Sequence, residues 1–486
     1  MSSPDSNPHH EKRWLILGVV AIAQLMFVLD STIVNIALPS AQEDLGFDDD
    51  LRQWVITAYA LAFGSLLLVG GRLGDLFGRK WAFIGGLIGF AVASAIGGAA
   101  GSFAVLVAAR AAQGAFGALL APAALALLST IFVDAGERGK AFGIYGAIAG
   151  GGAAVGLLLG GILTEWLTWR WCLYVNLLFA LPTAVAALRL LVNQALADRP
   201  PIDWLGTVTA TAGLFALVYG FSNSETNSWG HPVTIFMLAA AVVLLTAFAV
   251  IEARVAHPLL PLRVVTDRTR GGSFLAIGIS GIALFAVFLF LTYYLQQTKG
   301  FSPIETGLAF LPMTAAIMIT ATSVNIRFLN RVGPRPLLIL GMVLGAVAMV
   351  WLAQISPTSS YVGHVMPALI IMGIGLGNIF APGFATATYG VAPEDSGVAS
   401  AMVNTMQQVG GSIGTALLSS IFASAVTAYA SGKPRTPAVA AEAAVHGYTV
   451  AFWVAAGVFA FGAVVVAVIM PAIKIQQPAR EPAVAH

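Results

Sequence analysis

The sequence predicts an all-α membrane protein that crosses the bilayer about fourteen times. Of its 486 residues, 58% are hydrophobic and only 9% are charged, whereas soluble domains carry roughly 25% charged residues. A helix needs about 20 mainly apolar residues to cross a bilayer, and in lipid only a helix pairs every backbone polar group within one segment. The runs that qualify lie near 14–37, 51–70, 81–99, 103–127, 139–163, 171–192, 204–221, 232–251, 271–295, 304–326, 335–354, 362–386, 397–425 and 448–470.

The basic residues predict how these spans are oriented. With a cytoplasmic N-terminus, Arg110 falls within a span and most of the other Lys and Arg residues fall in cytoplasmic segments. The few on the outer side are Arg52, Arg170, Lys299, Lys433 and Arg435. The positive-inside rule therefore places both termini in the cytoplasm. Residues 1–13 are predicted to be a polar cytoplasmic tail, without the features of a signal peptide, and residues 471–486 a second tail.

A repeated motif divides the chain. The segment 71–80 (GRLGDLFGRK), between spans 2 and 3, has a partial copy at 330–335 (NRVGPR), between spans 10 and 11, at an offset of 255 residues. This offset corresponds to eight spans, so the chain is predicted to consist of six spans, two extra spans and six spans. The predicted units are a six-helix bundle (14–192), a linker with two spans (193–270) and a second bundle (271–470). Duplicated halves with a site between them are typical of transporters.

An acidic residue, Asp30, lies about two thirds along the first span. A carboxylate at the centre of a membrane helix costs about 2.5–3.5 kcal/mol on insertion scales. Desolvation favours its neutral form and a nearby cation favours its charged form, so a pocket that changes during transport can load and unload a proton there. The alternative is an acid near the outer interface, bonded to Ser31, Thr32 or Asn35.

A basic residue, Arg110, lies in span 4 on one helical stripe with Gln113 and Gly114. Small residues on such a stripe allow a neighbouring helix to approach closely, and a guanidinium can hold a carboxylate or a water in a cavity. A relay in which Arg110 adjusts the proton affinity of Asp30 is compatible with this spacing. The alternative is an arginine that snorkels to the outer interface.

The segment between spans 2 and 3 is predicted to form a cytoplasmic latch. It places a carboxylate among basic residues, and its three glycines are expected to supply a tight turn. A charge cluster of this kind can hold two helices together in one conformation and release them in another. The residues of this predicted latch are Gly71, Gly74, Asp75, Gly78, Arg79 and Lys80.

Span 5 is rich in glycine. Gly152, Gly156 and Gly160 recur at every fourth residue, and Gly146 and Gly150 form a second pair on nearly the opposite side. Glycine rows on two faces allow this helix to pack tightly against its neighbours and to flex between them.

Polar residues on one stripe of span 13 normally line a cavity or bond another helix, and both interpretations stay open. Aromatic side chains can add an apolar pocket that tolerates cations. The candidate cavity-lining residues are Phe27, Tyr59, Phe63, Tyr293, Asn378, Asn404, Gln407 and Gln408.

Other classes of protein find little support. The single cysteine, Cys172, excludes an internal disulfide and a thiolate metal cluster. The histidines lack metal-ligand spacing, so no metal site is expected, and no HExxH, Walker or CxxC pattern occurs. The net charge of +2 comes from 24 basic and 22 acidic residues, which argues against a nucleic-acid partner.

These motifs together resemble the fourteen-span drug/proton antiporters of the major facilitator superfamily. The residues that carry the resemblance are 29–39 in span 1, 71–80, 110–114 in span 4, the glycines of span 5, and 169–171 with Asn176. The resemblance implies two six-helix bundles that rock around a central cavity. It also implies that Asp30 is a proton or cation site, that Arg110 acts in the relay and that span 5 shapes the export direction.

The predicted function is proton-coupled efflux of amphipathic organic compounds or drugs across the bacterial cytoplasmic membrane. The expected partners are a small organic substrate, protons and the lipid bilayer, and the protein is expected to work as a monomer without a cofactor or ATP. The alternatives are an exporter dedicated to one endogenous metabolite or antibiotic and a proton-coupled uptake symporter. A membrane receptor or scaffold, the alternative outside transport, would need no acid at Asp30.

Overall fold

The computed structural model describes residues 11–48, 51, 54–132, 134–193, 202–434 and 436–472, and every regular element within them is helical. Parts of both predicted tails, Arg52, Arg435 and the side chains of Asn35 and Asn330 lie outside the described residues. The helices are α1 (Arg13–Leu45), α2 (Trp54–Phe77), α3 (Arg79–Gly98), α4 (Phe103–Ile131), α5 (Ala135–Trp166), α6 (Trp171–Leu190), α7 (Trp204–Thr226), α8 (Pro232–Glu252), α9 (Leu262–Thr266), α10 (Arg268–Tyr293), α11 (Pro303–Ala309), α12 (Leu311–Ile319), α13 (Asn325–Val332), α14 (Pro334–Leu352), α15 (Met366–Ala387), α16 (Ser396–Ala430) and α17 (Pro437–Ile469).

The predicted fold class is confirmed. The described residues contain 13 helices, or helix groups, that are long and apolar enough to cross a membrane. A further candidate is α5, which bends by 47° between Gly136–Gly152 and Val155–Trp166, and the number of spans is 14 when the two parts of α5 count as one.

Two spans differ in detail from the prediction. The predicted run 304–326 is divided into α11, α12 and α13, and Pro312 lies in the first turn of α12, where its missing N–H leaves no helical bond unmade. The last helix begins well before the predicted residue 448, because Thr436 caps it by accepting a hydrogen bond from the Val439 amide and Pro437 follows.

The helices pack into two similar groups. In the first half, α1 packs on α5 and α6, α3 packs on α4 and α6, and α2 packs on α4. In the second half the same pairings recur, with α10 on α16 and α17, α14 on α15 and α17, and α12 on α15. The extra helices α7 and α8 pack on each other, and α7 also contacts α2 and α16. The repeated sequence motif is thus accompanied by a repeated packing arrangement.

The two halves meet along two related seams. On one seam α2 and α4 pack against α16, and on the other α12 and α15 pack against α5. Each half contributes the same pair of helices to the neighbouring half, as expected for duplicated units related by an axis along the membrane normal.

The copied motif forms the same kind of turn in both halves. Gly78 separates α2 from α3 with φ 98°, and Gly333 separates α13 from α14 with φ 80°. Glycine adopts these positive φ values without steric cost. The prediction that Gly71 and Gly74 also belong to the turn is wrong, because both lie inside α2, which continues to Phe77.

Candidate functional site

Asp30 is enclosed at the centre of the first half. Its relative exposure is 0%. One carboxylate oxygen, Oδ2, accepts a hydrogen bond from Arg110 Nη1 at 2.7 Å. The other, Oδ1, accepts from Gln113 Nε2 at 3.0 Å and from Asn176 Nδ2 at 2.6 Å. Ser31, a predicted alternative partner, instead donates to a carbonyl of its own helix. Both oxygens of Asp30 are therefore occupied by donors from α4 and α6.

Arg110 is buried beside this carboxylate. Besides its bond to Asp30, its Nη1 donates to Gln113 Oε1 at 2.9 Å, and its Nε donates to the Val55 carbonyl at 3.3 Å. The guanidinium carbon lies 4.3 Å from the centre of the Tyr59 ring, a distance at which a cation is attracted to the ring face. Arg110 is thus held inside the bundle rather than at an exposed interface, and each of the two buried charges has its partner.

Ser94 on α3 completes the network. Its hydroxyl oxygen lies 2.6 Å from Gln113 Nε2 and 3.3 Å from Asn176 Nδ2, and both amides donate to it. The network therefore ties α1, α3, α4 and α6 together at one level of the bundle.

A second site joins the two halves at the end of the bundle that the basic residues assign to the cytoplasm. Asp75, in the last turn of α2, is buried. Its Oδ1 accepts from the Gly397 amide at 3.0 Å and its Oδ2 from the Val398 amide at 3.3 Å. These amides belong to the first turn of α16, where N–H groups lack helical partners and favour a negative charge. Arg79 contacts Asp75 at 3.5 Å and donates to the Pro393 carbonyl.

The helices approach very closely at this contact. A Cβ atom on Gly71 would lie 2.6 Å from the Gly397 carbonyl oxygen, and one on Gly397 would lie 2.5 Å from the Gly71 carbonyl oxygen and 2.7 Å from the Asp75 carboxylate. Only glycine fits at either position. Lys80, by contrast, donates to the Leu188 carbonyl within its own half.

Comparison with known proteins identifies the family. The family model described as Major Facilitator Superfamily matches residues 20–415. The chain belongs to the major facilitator superfamily. It is 49% identical to the puromycin resistance protein pur8 of Streptomyces alboniger, over 93% of this chain and 90% of that protein. It is 37% identical to the cephamycin export protein CmcT of Amycolatopsis lactamdurans, over 97% of this chain and 94% of that protein.

A solved structure shows the same fold. The human organic anion transporter MFSD10 superposes with a TM-score of 0.66 at 15% sequence identity, covering 96% of this chain and 100% of that chain. The predicted family, the prediction of a membrane transporter rather than an enzyme, and the predicted location in the cell membrane are confirmed by these matches.

The first glycine row of α5, formed by Gly152, Gly156 and Gly160, packs against α1. A Cβ atom on Gly152 would lie 2.8 Å from the Val28 side chain, and one on Gly160 would lie 3.0 Å from the Ile33 side chain. The middle glycine, Gly156, faces the Thr32 hydroxyl of α1. This row therefore runs past the stretch of α1 that carries the carboxylate.

The second glycine row of α5 faces the other half. A Cβ atom on Gly146 would lie 3.1 Å from the Ala381 amide nitrogen on α15. One on Gly150 would lie 3.0 Å from the Phe380 ring and 3.2 Å from the Ile317 side chain on α12. The same helix thus contacts α1 through one row and the opposite half through the other.

Three of the candidate cavity residues form one aromatic cluster. The ring centre of Phe27 lies 4.9 Å from that of Phe63 and 6.4 Å from that of Tyr59. The Tyr59 hydroxyl is buried, and no residue in the described part of the chain forms a hydrogen bond with it. Arg110 covers the Tyr59 ring, so this cluster adjoins the charged network, and two of its rings are on α2, which packs against α16.

The remaining cavity candidates do not gather in one place. Asn378 and Asn404 are buried and donate to carbonyls of their own helices. Gln407 and Gln408 are half-buried on α16, and Gln408 reaches α2, where its Cγ would lie 3.0 Å from a Cβ on Gly64. Tyr293, at the end of α10, is 38% exposed.

A second bridge between the halves involves Arg138, one of the basic residues predicted to lie on the cytoplasmic side. It lies in the first turn of α5 and is buried. Its Nη2 donates to Thr388 Oγ1 at 2.7 Å and to the Ala385 carbonyl at 3.1 Å, both at the end of α15. Its Nη1 donates to the Ser129 carbonyl at 3.0 Å. A basic residue in a cytoplasmic segment is what the positive-inside rule expects, so no local signal distinguished it.

Proposed function

We propose that the protein exports amphipathic organic compounds across the bacterial cytoplasmic membrane in exchange for protons. The observation that carries the proposal is the enclosed pair of Asp30 and Arg110. Protonation of Asp30 leaves the buried guanidinium without its counter-charge, which is costly. The protonated and deprotonated forms therefore favour different packing of α1, α3, α4 and α6, and this difference couples proton binding to movement.

The enclosure of Asp30 favours a proton over a substrate cation as its ligand. Both of its oxygens already accept hydrogen bonds, and none of its surface is exposed. A proton can reach such a group through a single water, whereas an amphipathic cation would have to displace Gln113 and Asn176. In this proposal Arg110 sets the proton affinity of Asp30 as its fixed counter-charge.

The contacts at the cytoplasmic end act as the latch of the transport cycle. Asp75 holds the start of α16, and Arg138 holds the end of α15, so both seams are joined in this conformation. Loading of substrate from the cytoplasm requires both contacts to part. The second glycine row of α5, Gly146 and Gly150, adds no side chain of its own at the contact with α12 and α15, which allows the two halves to rock against each other.

The substrate is proposed to bind beside the aromatic cluster of Phe27, Tyr59 and Phe63, with the amide of Gln408 opposite. Aromatic walls with a few polar groups suit amphipathic molecules. A relative at 49% identity is named for puromycin resistance and another for cephamycin export. This favours, as a second candidate function, an exporter dedicated to one antibiotic, working as a single chain.

One proton supplies enough energy for this task. Moving one charge across 100 mV releases about 2.3 kcal/mol, and a tenfold gradient costs about 1.4 kcal/mol. Exchange of one proton for one neutral molecule therefore sustains a substrate gradient of ~50-fold at 100 mV. No nucleotide is required.

The test uses purified protein in liposomes with an imposed pH gradient. The panel contains cationic, neutral and anionic dyes together with puromycin. Substrate movement should follow the gradient in the wild type, be lost with Asp30→Asn and be retained with Asp48→Asn, a matched change at an exposed loop position. Substrate movement that does not depend on the pH gradient would refute proton exchange. A response confined to puromycin would favour the dedicated exporter.

A further inference from the structure

Two acidic residues near the start of α16 are placed to accept hydrogen bonds from the same two amides. Asp395 directly precedes Ser396, the first residue of α16, and so occupies the N-cap position. A carboxylate at an N-cap normally accepts hydrogen bonds from the second and third helical residues, which here are Gly397 and Val398. In the structure these amides donate to Asp75 on α2 instead, and Asp395 makes no capping bond.

Asp395 instead forms an ion pair with an arginine of the linker. Arg263 Nη2 donates to Asp395 Oδ2 at 2.6 Å. The Asp395 side chain is only 5% exposed, whereas that of Arg263 is 65% exposed. Arg263 belongs to α9, the short helix that follows the two extra spans. An arginine of the linker thus binds the carboxylate that would otherwise compete with Asp75 for the two amides.

The end of the extra spans positions this arginine. Glu252, the last residue of α8, accepts hydrogen bonds from the amides of Leu259 and Leu260 at 3.3 and 2.9 Å. Both leucines are buried, so the chain folds back against the bundle before α9 begins. Arg270 then donates to the Arg263 carbonyl at 2.9 Å. The segment is therefore fixed on both sides of Arg263.

We propose that the cytoplasmic end opens by a cap exchange at the start of α16. Asp75 leaves the Gly397 and Val398 amides, Asp395 changes from its present backbone conformation (φ −106°, ψ 0°) to the extended one of a capping residue and accepts them, and Arg263 sets the balance by holding Asp395 in the closed state. This inference rests on the latch proposed for Asp75. The exchange lowers the cost of opening, because the helix amides keep an acceptor in both states and buried unpaired amides are costly.

The two extra spans acquire a role in this scheme. They anchor α9 and thereby keep Arg263 on Asp395, so they bias the latch toward its closed form. The scheme needs neither a substrate nor a pH gradient, since it concerns the equilibrium between closed and open forms of the free protein.

The cap exchange and a simple ion pair predict different results. If Arg263 and Asp395 only stabilised the closed state as an ion pair, removing either partner would have the same effect. In the cap exchange, Arg263→Gln frees Asp395 and favours opening. Asp395→Asn also favours opening, because asparagine caps helices about as well as aspartate while the ion pair is lost. Asp395→Ala removes the alternative cap and favours the closed form.

The experiment measures how often the seam between α2 and α16 opens. In a Cys172→Ala background, Leu68→Cys supplies a buried thiol two helical turns before Asp75 on the same face of α2. A membrane-impermeant maleimide is added to the cytoplasmic side of inside-out vesicles. Labelling should be about fivefold faster with Arg263→Gln and with Asp395→Asn, and slower than in the parent with Asp395→Ala, as expected for a cap worth ~1 kcal/mol.

Two further variants separate the possible failures. Glu394→Ala removes an exposed neighbouring acid and should leave labelling unchanged. Asp75→Ala should accelerate labelling. If Asp75→Ala accelerates labelling but Asp395→Ala and Asp395→Asn shift it in the same direction, the cap exchange is refuted and the latch is retained. If Asp75→Ala has no effect, the latch itself is refuted, and the exchange with it.

Discussion

Replacing Asp30 with asparagine removes one negative charge from a site where the matching positive charge stays in place. Arg110 is 2% exposed and keeps its guanidinium within hydrogen-bond distance of position 30. The new amide cannot satisfy all its neighbours at once. If its oxygen faces Arg110, its NH₂ group faces the donors of Gln113 and Asn176, and in the reverse orientation the NH₂ group faces the guanidinium.

The expected cost follows from this geometry. Removing one partner of a buried ion pair typically costs about 3–5 kcal/mol, most of it from the charge left behind. Gln113 and Asn176 can turn their own amide groups to offer an acceptor, which reduces the loss of hydrogen bonds. We therefore expect Asp30→Asn to destabilise the protein by ~3 kcal/mol, the lower end of the range. Adding Arg110→Gln should restore most of this, because no buried charge remains.

The assay combines stability with transport. Unfolding in detergent, measured for both single variants and for the double variant, gives the coupling between the two positions, expected to be about 2 kcal/mol or more. The double variant should regain stability without regaining transport driven by a pH gradient. Wild-type stability of Asp30→Asn would refute the buried ion pair. Gradient-driven transport by the double variant would refute the role of Asp30 as the proton site.

Three further substitutions test the seams and the core. Gly397→Ala places a methyl group 2.5 Å from the Gly71 carbonyl oxygen and forces the two helices apart. Maleimide labelling of Leu68→Cys should therefore accelerate, and an unchanged rate would contradict the close approach of α2 and α16. Arg138→Gln shortens the bridge to Thr388; because the two seams open together at the cytoplasmic end, it should accelerate labelling of Leu68→Cys and slow transport, and unchanged rates of both would show that this contact does not help to keep the cytoplasmic end closed. Tyr145→Phe removes the 2.8 Å hydrogen bond to Gln24 and should lower the free energy of unfolding by about 1 kcal/mol; equal stability in denaturant unfolding would contradict it.

The sequence predicted the central charges but only part of their environment. Asp30 and Arg110 stand out because a charge inside an apolar run is rare and costly. Ser94 was not identified, and Asn176 was recognised only as part of a family motif, because neutral polar residues occur in membrane spans for many reasons. Their convergence on one carboxylate depends on how α3 and α6 pack against α1, which no local pattern encodes.

Glycine shows a different limit of prediction. Gly71, Gly74 and Gly78 were all predicted to form the turn after span 2, yet only Gly78 does so. The same residue type serves turns, through its backbone freedom, and close helix contacts, through its missing side chain. The sequence alone does not separate the two uses, because the close contact of Gly71 is with a residue of the opposite half.

The glycine rows of α5 have a mechanical consequence for energy transfer. Within the part of the chain that the structure describes, the side chains that bond Asp30 all belong to the first half, so a proton bound there has no direct contact with the second half among these groups. The rows of α5 contact α1 on one side and α15 on the other, and at Gly146, Gly156 and Gly160 backbone atoms of the neighbouring helix lie 3.1 to 3.3 Å from a Cβ atom built there. Close-packed contacts of this kind transmit strain. Because α5 touches both halves, we expect it to pass a shift of α1 on protonation of Asp30 to the half to which α5 does not belong.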